Sequence, residues 1–328
     1  GGCVNVLRYL AKRLISMIPV VIAITIVVFG MVKAMPGDPA AMMINPALKE
    51  EQRIAAYNAM REKLSLDKPM PVQYVKWVAA TVQGDLGWSA MNNRPVKDVI
   101  LEPLKNTLIL NVFVTVFQIA IILPIGVMMA VKRGSFMDRF WQVFSLIGYS
   151  MPSFFIGLSL IFLLALKLKW LPPGGMPISA YGKNFAYYVS WLKYLILPTL
   201  SLTIISIAGA IRYVRNAMIE ALDQDYIRTA RSKGLPEKVV IYSHAFRNAL
   251  IPISTIIIMS VFAMLSGSAI TEQVFAWKGI GHTLVLALNN RDYMLVIALN
   301  LLSTMLAITA NIVADITYGI VDPRIKLE

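Results

Sequence analysis

Long stretches of this 328-residue sequence carry no charge, and Asp, Glu, Lys and Arg together make up only 15% of it. That scarcity excludes an ordinary soluble domain, because 57% hydrophobic residues is more apolar surface than one core of this length can bury. A single cysteine, Cys3, excludes an internal disulfide and leaves the redox compartment open. The sequence also lacks a GxxxxGK[ST] phosphate cradle. The stretch Lys278-Gly279-Ile280-Gly281-His282-Thr283 has the glycines but neither the spacing nor a preceding strand, so ATP is not bound that way.

What is there is a set of six charge-free runs: Leu14–Val32, Asn106–Val131, Phe140–Leu166, Tyr194–Ile211, Asn248–Thr271 and Tyr293–Ala314. A hydrocarbon core of about 30 Å needs about 20 apolar helical residues, and each run is long enough. Gly279–Asn290 is too short to span and reads as a half-buried external helix or re-entrant turn. The run 170–182 is broken by Pro172, Pro173, Gly174 and Gly175. The first run follows Arg8, Lys12 and Arg13, as a secretory signal would. It is too long for one and has no small-residue cleavage site before Pro36, so it is expected to be a retained helix. The flanks of Cys3 do not make a lipobox.

Orientation follows from Lys and Arg. With the N-terminus inside, segments 1–13, 132–139, 212–247 and 315–328 hold three, three, seven and two basic residues. The segment 33–105 holds ten more, but eight acids offset them and long segments count little toward the positive-inside bias. Both termini are therefore expected in the cytoplasm. The formal charge of +13 hugs the helix ends, which suits anionic lipid and not nucleic acid. The two histidines, His244 and His282, then lie on opposite sides of the membrane and cannot share a metal or a proton-transfer role.

Three units result: the N-terminus and first span over 1–35, an external helical domain over 36–103, and a five-span core over 104–328. In the external domain Asn45 and Pro46 are expected to start a helix that carries Leu48, Tyr57, Met60 and Leu64. Asp67-Lys68-Pro69 should stop it, and 72–82 forms a second helix ended by Gly84-Asp85-Leu86-Gly87. The longest cytoplasmic segment, 212–250, contains TARSKGLPEKVV. There Asp225 can cap a helix carrying Tyr226, Ala230 and Gly234, and Pro236-Glu237 opens another carrying Val239, Val240, Tyr242 and Phe246. The spacing predicts two short helices meeting at a Gly-Leu-Pro elbow, with Arg228, Arg231 and Lys233 around the contact face left open by the small residues.

Ala230, Gly234, Leu235 and the run Arg247-Asn248-Ala249-Leu250-Ile251-Pro252 resemble the EAA loop of ABC importer permeases. The wider pattern is similar to the first permease of dipeptide, oligopeptide and nickel importers. It includes Met35-Pro36-Gly37-Asp38-Pro39, Leu66-Asp67-Lys68-Pro69 with Gln73-Tyr74, Gly84-Asp85-Leu86-Gly87, and Tyr318-Gly319-Ile320-Val321-Asp322-Pro323-Arg324. Two positions depart from the loop: Arg228 stands where its glutamate falls, and Thr229 where its first alanine falls. No glutamate role carries over.

The resemblance implies an all-α polytopic membrane protein with the type I ABC importer permease fold, in a prokaryotic cytoplasmic membrane. It implies a second homologous permease, two ATP-binding subunits that hold the ATP and Mg, and an external solute-binding protein. No cofactor or catalytic residue is implied in this chain. The coupling surface would comprise Tyr226, Arg228, Thr229, Ala230, Gly234, Leu235, Glu237, His244 and Arg247. Uncharged polar residues inside the runs are the candidates to line a path: Asn111, Gln118, Tyr149, Ser150, Asn300, Thr304 and Asn311. Peptides are the cargo the resemblance implies, with nickel complexes and oligosaccharides as alternatives. An ion-coupled secondary transporter, the rival reading, would have ionisable residues at mid-membrane and an inverted repeat, and the sequence offers neither.

Overall fold

The computed structural model describes residues 2–34, 38–42, 44, 48–63, 65–177, 184–265 and 268–321. The expected helix start at Asn45 and Pro46, the Met35–Gly37 motif, Leu64 and the terminal Asp322–Arg324 lie outside them. Fourteen α-helical segments account for almost all regular structure among the described residues.

Helix α1 (Gly2–Ala34) is followed by the short α2 (Pro39–Met42), then α3 (Glu50–Lys63) and α4 (Met70–Val82). A two-residue antiparallel hairpin, β1 (Trp88–Ser89) with β2 (Arg94–Pro95), pairs Trp88 with Pro95 and Ser89 with Arg94. It leads into α5 (Val96–Val131), whose 36 residues run through the boundary expected at 103. The spans that follow are α6 (Phe136–Ser150), α7 (Ser153–Leu160) continued by a π-helical stretch Ile161–Lys167, and α8 (Phe185–Leu222). The elbow consists of α9 (Asp225–Ser232), the single turn α10 (Glu237–Val239) and a second π-helical stretch, Val240–Phe246. The chain closes with α11 (Arg247–Leu265), α12 (Ala269–Val274), α13 (Ile280–Asn289) and α14 (Tyr293–Val321).

Among the described residues three helices, α5, α8 and α14, are long and apolar enough to cross a membrane. The pair α6 and α7 meets the same length and composition only when its two limbs are taken together, and it bends by 105° at its break. The expected third run thus folds as a bent pair: Met151 is extended at ψ 134° and Pro152 begins the second limb with no N–H to continue the first. The first run falls on α1, where Ile15–Met31 is the described apolar stretch, and the fifth falls on α11 and α12.

Helices α5 and α8 pack along much of their length, and one apolar cluster joins the C-terminal halves of both to the elbow. Ile122, Met129, Ile211 and Met218 of the two helices meet Ile227 and Ala230 of α9, Val240 and Ala245 of the π stretch, and Ile253 of α11. Gly126 of α5 permits this approach, since a Cβ there would lie 2.5 Å from Val214 Cγ1. At the other end of the bundle, Val96, Val99 and Ile100 of α5 pack with Ile280 and Ala287 of α13 and with Leu295 and Leu299 of α14. Asp292 pins that end. Its buried carboxylate accepts from Ser89 Oγ at 2.5 Å and from the amides of Met91 and Leu295, so the hairpin is fastened to the start of α14.

Candidate coupling loop and translocation face

Helix α8 runs without a break from Phe185 to Leu222, 38 residues or about 57 Å at 1.5 Å per residue. Its last eleven residues continue past the apolar run that ends at Ile211, and α9 begins only two residues later, after Asp223 and Gln224. Gln224 occupies the N-cap position and Asp225 the first helical turn, where its carboxylate lies 3.6 Å from Arg228 Nη1 and favours the helix dipole. The expected cap at Asp225 is therefore displaced by one residue.

The elbow has the geometry its glycine and proline dictate. Gly234 sits at φ +72°, where glycine carries no Cβ penalty, and the amides of Gly234 and Leu235 return to the carbonyls of Arg231 and Ala230. Pro236 precedes the second limb, which starts at Glu237. Arg231 and Glu237 clasp the two limbs with a paired contact, Nη2 to Oε1 at 2.7 Å and Nε to Oε2 at 3.2 Å. That fork holds the Glu237 carboxyl below its ordinary value.

The small residues of the loop face opposite ways. Gly234 is open, with nothing within 4 Å of where a Cβ would be, whereas Ala230 is buried against the chain's own core. Ala230 and Ile227 let α9 lie close on Val240 and Ile241, so the outward surface is made by other side chains. Tyr226, Leu235, Val239 and Tyr242 are exposed apolar or aromatic groups on it, ringed by Arg228, Thr229 and Lys233. Thr229 Oγ1 bonds back to the Asp225 carbonyl, and the Tyr226 hydroxyl shares a hydrogen bond with the Asn248 side chain. His244 is half-buried, its carbonyl accepting from Asn248 Nδ2 at 2.8 Å, and Arg247 is exposed beside it.

Beneath this loop lies an ion pair that local sequence reading does not reveal. Asp138 of α6 accepts from Arg215 of α8 at 2.7 Å and 3.0 Å, and also from the Gly134 amide and Gln142 Nε2. Asp138 lies two residues before the apolar run that starts at Phe140. The Arg215 fork, aided by the Gly134 amide, holds its carboxyl at about 2 against the desolvation that pushes the other way. The local signal for Asp138 is the Ser135-x-x-Asp138 spacing of a helix start, and Ser135 Oγ does accept from the Asp138 amide.

The seven path candidates fall in different settings. Asn111 and Gln118 are buried on α5, and Gln118 Nε2 reaches Ser260 of α11 at 3.4 Å while its Oε1 has no partner. Tyr149 and Ser150 are exposed at the end of α6 beside the bend. Asn300 and Thr304 of α14 are half-buried, with Asn300 Nδ2 bonded to the Val296 carbonyl, and Asn311 is exposed. They do not converge on one pocket.

At the far end of the bundle a further buried carboxylate, in addition to Asp292, was outside that candidate set. Glu272 is fully buried and accepts from Thr107 Oγ1 at 2.8 Å and from the His282 amide at 3.0 Å; Thr107 Oγ1 in turn accepts from the Ile280 amide. Gly279 is needed there, because a Cβ would come within 2.5 Å of the Glu272 carboxyl carbon. Trp277, fully buried, donates from Nε1 to the Asn106 carbonyl, and the Gly175 amide meets the Phe275 carbonyl at 2.7 Å. The Pro/Gly loop 172–177, α12 and α13 thus form one packed cap over the start of the α5 apolar run.

Two described protein families cover the chain. Residues 122–327 match the binding-protein-dependent transport system inner membrane component, and residues 6–111 match the N-terminal membrane component of the same systems. The oligopeptide transport system permease protein AppB of Bacillus subtilis is 38% identical over 319 residues, covering 97% of this chain and 99% of that protein. The dipeptide transport system permease protein DppB of Escherichia coli K12 is 36% identical over 339 residues, covering 98% and 99%. A structure of the MetNI methionine ABC transporter in inward-facing conformations superposes with a TM-score of 0.53, over 68% of this chain and 96% of that one, at 17% identity. The fold is that of an ABC transporter transmembrane subunit, an integral membrane protein. The chain belongs to the family of binding-protein-dependent transport system inner membrane components, on the branch that contains the oligopeptide and dipeptide permeases.

Proposed function

We propose that this chain forms half of the translocation path of an ATP-driven peptide importer in a prokaryotic cytoplasmic membrane, with both termini in the cytoplasm. A second homologous permease supplies the other half, two ATP-binding subunits grip the elbow formed by α9 and α10, and an external solute-binding protein delivers the cargo. The chain hydrolyses nothing itself and holds no cofactor; ATP and Mg sit in the partner subunits.

The observation that carries this reading is the union of the exposed elbow with the bundle core. Tyr226, Leu235, Val239 and Tyr242 offer a partner an apolar surface, while Ile227, Ala230 and Val240 directly behind them pack into α5, α8 and α11. A displacement imposed on the elbow reaches the spans as a movement of packed helices, because a close-packed interior shifts and does not absorb strain. The Asp138–Arg215 pair carries the same movement into α6.

Peptide cargo is supported by near full-length likeness to an oligopeptide and a dipeptide permease. The six charge-free runs contain no His, Cys, Asp or Glu to ligate nickel, which favours peptides over a path that binds the metal directly. The test is uptake of a labelled tripeptide into proteoliposomes containing this chain, its paired permease and the ATPase subunits. Uptake that needs both ATP and the binding protein is expected. Uptake driven by an ion gradient without ATP would overturn the proposal in favour of a secondary transporter.

A further inference from the structure

A cavity of about 700 Å³ opens between α1, α4, the hairpin and the start of α14, and none of the transport roles above uses it. Its position relative to the bilayer follows from its walls. Phe29 and Ile297 belong to the apolar runs of α1 and α14; Lys33 directly follows the α1 run, while Gln73 and Lys76 of α4 and Lys97 at the start of α5 lie outside every run. One span separates α14 from the elbow, so the cavity faces the side of the membrane opposite the ATPase-facing loop. Trp77, Trp88 and Tyr293 line it at the depth where aromatic residues meet the water–hydrocarbon boundary.

The chemistry of the walls changes across that boundary. The inner part is apolar, with Phe29 packed on Tyr74 and Trp77 at 5.6 and 5.7 Å between ring centroids, and with Met294 and Ile297 opposite. Gly87, at φ +84°, lets the chain cross directly over Met294, where even a Cβ would lie 3.3 Å from the methionine sulfur. The outer part is cationic. Lys33 Nζ is held by Gln73 Oε1 at 2.5 Å and Lys76 Nζ by Ser65 Oγ at 2.9 Å, both neutral partners, while Lys97 has no hydrogen bond or ion pair among the described residues. Neither Lys33 nor Lys76 has a carboxylate within 4 Å among the described residues. Glu62 and Asp85 stand on the rim.

We propose that this cavity is a phospholipid site: the phosphate of one outer-leaflet lipid is received by Lys33, Lys76 and Lys97, and its acyl chains run along Phe29, Met294 and Ile297. Three ammonium groups beside an aromatic and aliphatic floor suit an amphiphile, whose charged and apolar parts are likewise adjacent. Because the cavity walls come from α1, α4, the hairpin and α14, the lipid bridges α4 to the bundle.

The test uses the full-length chain in mild detergent and native mass spectrometry with two probes, dioleoylphosphatidylglycerol and dioleoylglycerol, which share acyl chains and differ in the anionic phosphoglycerol headgroup. The wild-type chain is expected to retain one phosphatidylglycerol and no dioleoylglycerol. The triple variant Lys33→Gln, Lys76→Gln, Lys97→Gln is expected to retain roughly a hundredfold less. Ala80→Trp, which fills the cavity without touching its charge, should abolish retention, and Lys132→Gln on the opposite side of the membrane should leave it unchanged. Lys97→Gln alone, at a side chain with no described partner, keeps the test valid if the triple variant unfolds, and should weaken retention severalfold. Equal retention of both probes, undiminished binding by Lys97→Gln and Ala80→Trp, or displacement of the lipid by trialanine would overturn the proposal. None of these readouts depends on transport, so they stand apart from the cargo assay.

Discussion

Arg215 donates from Nε to Asp138 Oδ1 at 2.7 Å, with the Asp138 side chain only 1% exposed, and so locks α6 to α8 just below the apolar core of the bundle. Arg215→Met leaves that carboxylate buried without its cation and should cost about 3–5 kcal/mol of stability. Asp138→Asn together with Arg215→Met removes both charges and should recover much of the loss. Thermal unfolding of the purified chain measures both; equal melting of the single and double variants would refute a buried pair.

The same pair sets a pH dependence. Because the folded carboxyl titrates at about 2, below its ordinary 3.8, its contribution is complete above about pH 4 and is lost as pH falls toward 2. The unfolding midpoint of wild type should therefore drop between those values more steeply than that of Asp138→Asn. Parallel curves would show that the pair is not titrating there.

Ala230 and Gly234 should fail in different ways. Ala230→Glu forces a charge into the cluster of Ile227, Val240 and Ala245, and should lower the melting temperature of the chain even without partners. Gly234→Ala places a side chain at φ +72° in open space and should cost only about 1–2 kcal/mol. If Ala230→Glu melts like wild type, α9 is not packed as described.

Thr107 serves two buried partners in the cap formed by α12 and α13. Thr107→Val leaves the Ile280 amide and a Glu272 oxygen unsatisfied, at a cost of about 1–3 kcal/mol. Hydrogen exchange of the Ile280 amide should speed up, while amides of α9 keep their wild-type rates. Unchanged exchange at Ile280 would remove Thr107 from the cap.

Gln118 is proposed as a path residue, at the contact between α5 and α11. Gln118→Ala is expected to lower peptide uptake while leaving the order of preference between two competing peptides intact, since selection is assigned to the binding protein. A reversed preference would move selectivity into this chain.

The elbow was the most legible part of the sequence, because glycine and proline act locally: Gly234 ends one limb and Pro236 opens the next, and both do so in the fold. The apolar runs on α5, α8 and α14 were equally plain, since an absence of charge over 18 residues needs no tertiary context. What could not be read is long-range or depends on small departures from regular geometry. Asp138 and Arg215 are 77 positions apart, and nothing in either segment names the other. The inward turn of Ala230 depends on where Val240 and Ile241 come to lie, and that is set by a π-helical stretch with no composition of its own. Glu272 stood only as a charge at the edge of a run; its burial follows from Thr107, 165 residues earlier. Strands of two residues, such as Trp88–Ser89, are too short to produce an alternating pattern.

The central claim is that the elbow transmits the work of the ATPase subunits to the spans. It is tested most directly by measuring ATP hydrolysis stimulated by the binding protein and peptide in the reconstituted transporter with Gly234→Trp. The indole would stand out from an open position beside Leu235 and hold the partner surface away, without entering the chain's own core. The account predicts a chain that inserts like wild type and melts no lower than Gly234→Ala, which carries the same backbone strain, but loses ATPase association or stimulation. Wild-type assembly together with wild-type stimulation would contradict it.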